Sequence, residues 1–311
     1  MTAILQFDDV HRHFGKQEVL KGLSLQVEKG QIYAFLGRNG AGKTTALRIL
    51  MGFLEPHRGR ASVFGKDSQS LQPADRARIG YVGEGHLLDP TMRVKEAIAF
   101  ERGTRPGFRT DLAERAVQRC GLRHGQFIAR LSRGQRAQLS LVLATAASPD
   151  VLVFDDPAMG LDVVMRREFL DAMIDLLADS GCAVLFSSHI LTDVERIADR
   201  IGILHEGTML VDATMDDLAR RVRRGILQGA TAPVLADDRH VLRSKPRRDG
   251  YELLLLDAGP EELARLARLG RLDDLRAPSL EDLFLDLTGP DRPGLLSEPV
   301  RELALPAEVV S

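Results

Sequence analysis

The feature that most constrains this 311-residue chain is the segment GRNGAGKTT at 37–45. It fits the pattern G-x-x-x-x-G-K-[ST] and stands between an apolar run, QIYAFL (31–36), and a stretch of helical spacing at 44–51. Strand, glycine-rich turn and helix start are the context in which this pattern cradles phosphate. Gly37, Gly40 and Gly42 let the backbone curl until its N–H groups face one point, and Arg38, Asn39, Ala41 and Thr45 complete the segment. The helix that follows adds the positive end of its dipole. Lys43 can reach the β- and γ-phosphates of a nucleotide, and the Thr44 hydroxyl can ligate Mg2+.

The sequence around the loop agrees with that start. Apolar runs VLVF (151–154), AVLFS (183–187) and 201–204 alternate with longer helical patterns, and a hairpin strand is expected at 209–211. Such alternation predicts an α/β fold, a parallel sheet with crossover helices. From about 88 to 143 the pattern turns mostly helical, with breaks at Pro106, Gly107, Gly121 and Gly134, and reads as a helical insertion. The length suits two domains at ~150 residues each. A first domain over 1–224 closes on the charged run RRVRR (220–224). Strand-like runs at 240–243 and 251–257, then helices at 260–269 and 279–287, suggest a small α+β domain over 225–288. The tail, 289–311, holds Pro290, Pro293, Pro299 and Pro306 and is expected to be loosely ordered.

Two carboxylates, Asp155 and Asp156, end the 151–154 strand. Beside a phosphate loop, Asp155 is placed to hold Mg2+ through its water shell. Asp156 lies where a second carboxylate could orient an attacking water. His189 ends the next strand, 34 residues after Asp155, where it could sense a γ-phosphate. The plainer alternatives are an acidic turn cap and a satisfied structural histidine.

With LSRGQ at 131–135, twenty residues before Val151, the sequence resembles the ATP-binding subunits of ABC transporters, whose signature is LSGGQ. The resemblance covers about residues 4–224. In chain order it takes in Phe14, at the aromatic position that stacks on adenine, and the loop at 37–45. It then takes in the signature Leu131, Ser132, Arg133, Gly134 and Gln135, the strand with Asp155, the D-loop with Asp162 and the switch histidine, His189. It implies a P-loop NTPase core of the ABC type, with an antiparallel β subdomain and a helical subdomain, plus the small C-terminal α+β domain. It implies ATP and Mg2+ as cofactors, with Thr44, Glu84 and Asp155 at the metal and Asp156, Glu84 and His189 in catalytic positions. It also implies a head-to-tail dimer, as a homodimer or a paralogous heterodimer. Ser132 and the Gly134 backbone would contact the γ-phosphate held by the second ATP-binding subunit, and hydrolysis would drive a separate membrane permease.

Three residues depart from the family pattern. Arg133 replaces the first signature glycine. Asp156 stands where the family has glutamate, and a carboxylate shorter by one methylene falls back by roughly 1–1.5 Å; misplacement of about 1 Å can cost ~10²-fold in rate. Glu84 stands where the family has glutamine, and some drug- and polymer-exporter subunits resembling this one share that glutamate. The C-terminal segment SLEDLFLDLTG (279–289) resembles the closing helix of export-type subunits, which pair with ABC-2-type transmembrane permeases; a generic amphipathic helix has the same spacing.

Composition narrows the field. Lys and Arg number 42 against 44 Asp and Glu, a formal charge of −2, so no nucleic-acid partner is expected. No stretch free of those residues exceeds thirteen, whereas a spanning helix needs ~20 apolar residues. An expectation follows: a peripheral subunit on the cytoplasmic face of the cell membrane, held by its permease. Cys120 and Cys182 are too few for a disulfide framework. The cluster KPRR (245–248) reads as a solvated turn. The competing readings are a soluble ABC-type ATPase, a low-turnover regulatory nucleotide-binding subunit and an importer ATPase.

Overall fold

The computed structural model describes residues 3–159, 161–177, 181–230 and 240–289. Gly160 of the D-loop and the proline-rich tail from Pro290 onward lie outside the described residues. The elements run β1 (Ala3–Phe14), β2 (Gln17–Glu28), β3 (Ile32–Leu36), α1 (Lys43–Leu50), β4 (Arg58–Val63), β5 (Lys66–Asp67), α2 (Pro73–Arg76) and β6 (Ile79–Val82). They continue as α3 (Val94–Thr104), α4 (Thr110–Arg119), α5 (Arg133–Ala146), β7 (Val151–Asp155), α6 (Val163–Leu177), β8 (Ala183–Ser188), α7 (Leu191–Ile197), β9 (Arg200–His205), β10 (Thr208–Thr214) and α8 (Met215–Arg221). The last are β11 (Val222–Gln228), β12 (Val241–Arg247), β13 (Gly250–Leu256), α9 (Pro260–Leu269), β14 (Arg271–Arg276) and α10 (Leu280–Thr288). The chain divides into two compact units, Met1–Met209 and Leu210–Ser311.

The runs read as strands at the centre of the first unit are apolar on both faces because both faces are covered. Every residue of β7 and β8 is buried, as are Tyr33 to Leu36 of β3. These strands lie in a six-stranded sheet of order β10-β9-β3-β8-β7-β6. The pairings from β9 through β3, β8 and β7 to β6 are all parallel. Parallel strands deliver their C-terminal ends to one rim, where open α/β sheets bind ligands. Here Leu36 is opposite Ser188, and Asp155 is opposite Ser187.

A second sheet, β2-β1-β4-β5, is antiparallel. Leu5, Phe7 and Val10 of β1 and Leu20, Leu23, Leu25 and Val27 of β2 share a core with Leu47 and Leu50 of α1. The antiparallel subdomain is expected from the family resemblance, yet its strands are hard to place by alternation. The pairing of β1 with β2 shifts register between Phe7 and Val10, where Asp9 has φ 47°, so the period-2 pattern is interrupted. The helical segment packs α3, α4 and α5 around Val94, Ile98, Val117, Leu139 and Val142.

The second unit has its own antiparallel sheet, β12-β13-β11-β14, and its own core of Leu227, Val241, Leu253, Leu255 and Leu266. Its sheet begins inside the charged run at 220–224, because β11 starts at Val222 and pairs with β13 and β14. Arg224 of that strand is held between Glu252 and Asp282. Strand β14, RLDDLR, is an edge strand whose side chains are exposed or half-buried, so it lacks the apolar signal that marks the others.

Candidate functional site

The phosphate loop follows β3 as the spacing predicts. Gly42 caps α1 with φ 112°, and a Cβ there would meet Leu20 Cδ2 and the Val19 carbonyl at 2.8 Å. A Cβ at Gly37 would lie 2.6 Å from the Leu204 carbonyl. Both positions therefore need glycine, for conformation in one case and for room in the other.

A cleft of about 500 Å³ opens over this loop. Asn39, Gly40, Gly42, Lys43, Thr44 and Thr45 form its floor, and Phe14, Glu84, Asp155 and Asp156 complete its walls. Residues from β1, the loop, β7 and the segment after β6 thus meet in one place. Gly37, Arg38 and Ala41 belong to the loop without lining the cleft. Phe14 is 50 % exposed, with the Arg12 guanidinium 4.9 Å from its ring centroid.

Lys43 is buried, and its Nζ donates to the Gly37 carbonyl at 2.6 Å and the Arg38 carbonyl at 3.3 Å. Burial lowers its pKa, while Asp156, Asp155 and Glu84 act the other way. The Thr44 hydroxyl donates to Asp155 Oδ1 at 3.0 Å. His189 Nδ1 lies 2.6 Å from Asp156 Oδ2. An ionised carboxylate only accepts, so the contact selects the tautomer with Nδ1 as donor. Asp156 itself has φ 48°, a left-handed turn directly after β7. Asp155 Oδ2 and Asp156 Oδ1 are buried with no hydrogen-bond partner among the described residues.

The signature stands apart from this cleft lining and opens α5. Ser132 caps the helix: its Oγ accepts from Gln135 N at 3.1 Å, and Gln135 Oε1 accepts from Ser132 N at 3.0 Å. Two of the five signature residues are therefore a capping box in their own right. A Cβ at Gly134 would collide with the Met165 side chain, whereas Arg133 is exposed and tolerates a long side chain. Asp162 caps α6, its Oδ1 accepting from Val164 N at 3.0 Å and Met165 N at 2.9 Å.

Four lining residues, Gln17, Val19, Met159 and Ser187, fall outside the sequence expectations. Ser187 had the clearest available signal, a hydroxyl in an apolar run two residues before His189.

Comparison with known proteins places this arrangement. The ABC transporter family model matches residues 20–159. Nod factor export ATP-binding protein I of Burkholderia lata is 32% identical over 299 residues, 93% of this chain and 98% of that protein. Daunorubicin resistance ATP-binding protein DrrA3 of Streptomyces coeruleorubidus is 32% identical over an alignment that covers 94% of this chain and 97% of that protein. The chain belongs to the family of ABC transporter ATP-binding subunits. A solved ATP-binding subunit of an ABC transporter superposes with TM-score 0.63 at 28% identity, covering 70% of this chain and 92% of that one. A dimeric ATP-binding cassette bound to ADP and Pi has the same fold, with TM-score 0.60 at 20% identity, covering 68% of this chain and 98% of that one. ABC subunits bind ATP and are ATPases. Among the described residues, no helix is long and apolar enough to cross a membrane.

Proposed function

We propose that this subunit hydrolyses MgATP as half of a head-to-tail pair and powers export through a separate ABC-2-type membrane subunit, at the cytoplasmic face of the membrane. One observation above all supports the reading: Lys43, Thr44, Asp155 and Asp156 line one cleft, and His189, which is not in its lining, joins them through Asp156. Two relatives matched over more than nine-tenths of this chain are named for Nod factor export and daunorubicin resistance, which supports export over import.

The residues present suit magnesium. Mg2+ takes one or two carboxylates and completes its shell with phosphate oxygens and water. Asp155 supplies a buried Oδ2 with no partner among the described residues, and Thr44 supplies a hydroxyl at the same carboxylate's Oδ1. Glu84 lines the same cleft. When bound, the ion offsets the negative charge that builds up on the phosphates. The loop N–H groups and Lys43 hold the phosphate chain, and Phe14 offers its ring face to the adenine. Asp156 orients a water and takes its proton as the water oxygen bonds to the γ-phosphorus and ADP leaves. His189 holds Asp156 through Nδ1. Ser132 and the Gly134 backbone act on the nucleotide of the second subunit, and the exposed Val163 and Val164, next to Asp162, belong to the face that meets it. Residues 225–288 are accessory to this engine, which occupies 1–224.

Asp156 also favours a second reading, a regulatory subunit with little turnover, because its carboxylate is shorter than the family's glutamate. Co-purification with a multi-span membrane protein and phosphate release from that complex test both. The export reading expects turnover that rises in Asp156→Glu, by up to ~10²-fold if misplacement limits the wild type. A complex with no turnover in either form favours the regulator. A chain that pairs with no membrane protein overturns the transport reading.

A further inference from the structure

We propose that Ser187 is a positioning residue that sets both acidic groups of the site with a single hydroxyl. The inference rests on the reading of the cleft as a MgATP site. Ser187 is fully buried in β8, directly opposite Asp155 on β7. A hydroxyl has one proton to donate and two lone pairs to accept with. Ser187 Oγ donates to Asp155 Oδ1 at 3.0 Å and accepts from Asp156 N at 2.8 Å.

Each bond has a consequence. Asp155 Oδ1 receives two hydroxyls, those of Thr44 and Ser187, which leaves Oδ2 as the oxygen with unused lone pairs. If the Thr44 hydroxyl turns to a metal ion, the Ser187 bond alone keeps Asp155 from rotating. The second bond acts on the backbone. Asp156 adopts φ 48°, a conformation that a residue with a Cβ visits at a cost. Its N–H would be unpaired in that turn without Ser187 Oγ. The same turn delivers the Asp156 carboxylate to His189 Nδ1 at 2.6 Å. The neighbouring hydroxyl does something different: Ser188 Oγ accepts from Ile190 N at 3.0 Å.

The test uses the full chain with ATP, with Mn2+ as a spectroscopic stand-in for Mg2+. Ser187→Ala and Ser187→Thr are compared with wild type by paramagnetic resonance of Mn2+, by nucleotide binding in chelator, by the metal dependence of phosphate release and by thermal midpoint. Residues that orient metal ligands typically give 10–100-fold effects, so Ser187→Ala is expected to need about ten times more metal for half-saturation. Its metal-free nucleotide binding stays close to wild type. Ser187→Thr, which keeps the hydroxyl, restores the metal dependence. A Ser187→Ala protein with wild-type metal affinity overturns the inference, as do equal losses in Ala and Thr that track the thermal midpoint. A wild type with no ATP-dependent Mn2+ signal would instead sink the reading of the cleft itself.

Discussion

At the scale of single residues, the cleft is a balance between one buried cation and three acids. Lys43 loses solvation there, and Asp156, Asp155 and Glu84 oppose the resulting fall in its pKa. Removing the ammonium leaves those carboxylates facing a polyanionic ligand unaided. Lys43→Ala is therefore expected to lower turnover by about 10²–10³-fold, the usual loss of one preorganised charge partner, and to weaken nucleotide binding. Phosphate release and a fluorescent-nucleotide titration check the two effects. The placement of Lys43, Thr44 and Asp155 was legible in the sequence because local order determines it: a loop between strand and helix, and an acid at a strand end. Ser187 was not. Its meaning depends on β7 lying beside β8 in one register, and its partners are 31 and 32 residues away in the chain.

At the scale of elements, α5 shows how one motif can serve two purposes. Ser132 and Gln135 close the helix end by satisfying each other's backbone N–H groups. Ser132→Ala is expected to remove ~1 kcal/mol of that support. In a unit the size of the first, Met1–Met209, that is a fall of about 2–4 °C in thermal midpoint, measurable by calorimetry. From the trans contact proposed for Ser132, ATP-dependent pairing is expected to weaken by more than this loss explains, which sedimentation in the presence of ATP checks. The central parallel strands were legible because burial on both faces makes them uninterrupted apolar runs. Strand β1 was obscured by its register shift, and β14 by being a charged edge. In both cases the pairing partner, not the segment's own composition, makes the strand.

At the scale of the whole molecule, the chain is two units with separate cores. The second is small, so each of its buried leucines matters. Leu253 is fully buried among Leu227, Leu255 and Leu266. Leu253→Ala is expected to destabilise this unit by about 2–5 kcal/mol. Calorimetry should show its unfolding shift downward while nucleotide binding by the first unit persists. A joint loss of both would mean that the units fold as one.

The closing helix of that small unit is held at two points. Asp282 and Asp286, one helical turn apart, meet Arg224 of β11 and Arg243 of β12. Leucines alone would let α10 slide or rotate on its sheet, since apolar contact is indifferent to such small displacements. Paired charges are not, because a shift of one residue strands a guanidinium without its carboxylate. The helix is thus keyed to its own sheet. A tail that kept the leucines but lacked acids at these two positions would bury as much apolar surface yet arrive without the matching pins, and nothing would fix where along the sheet it comes to rest.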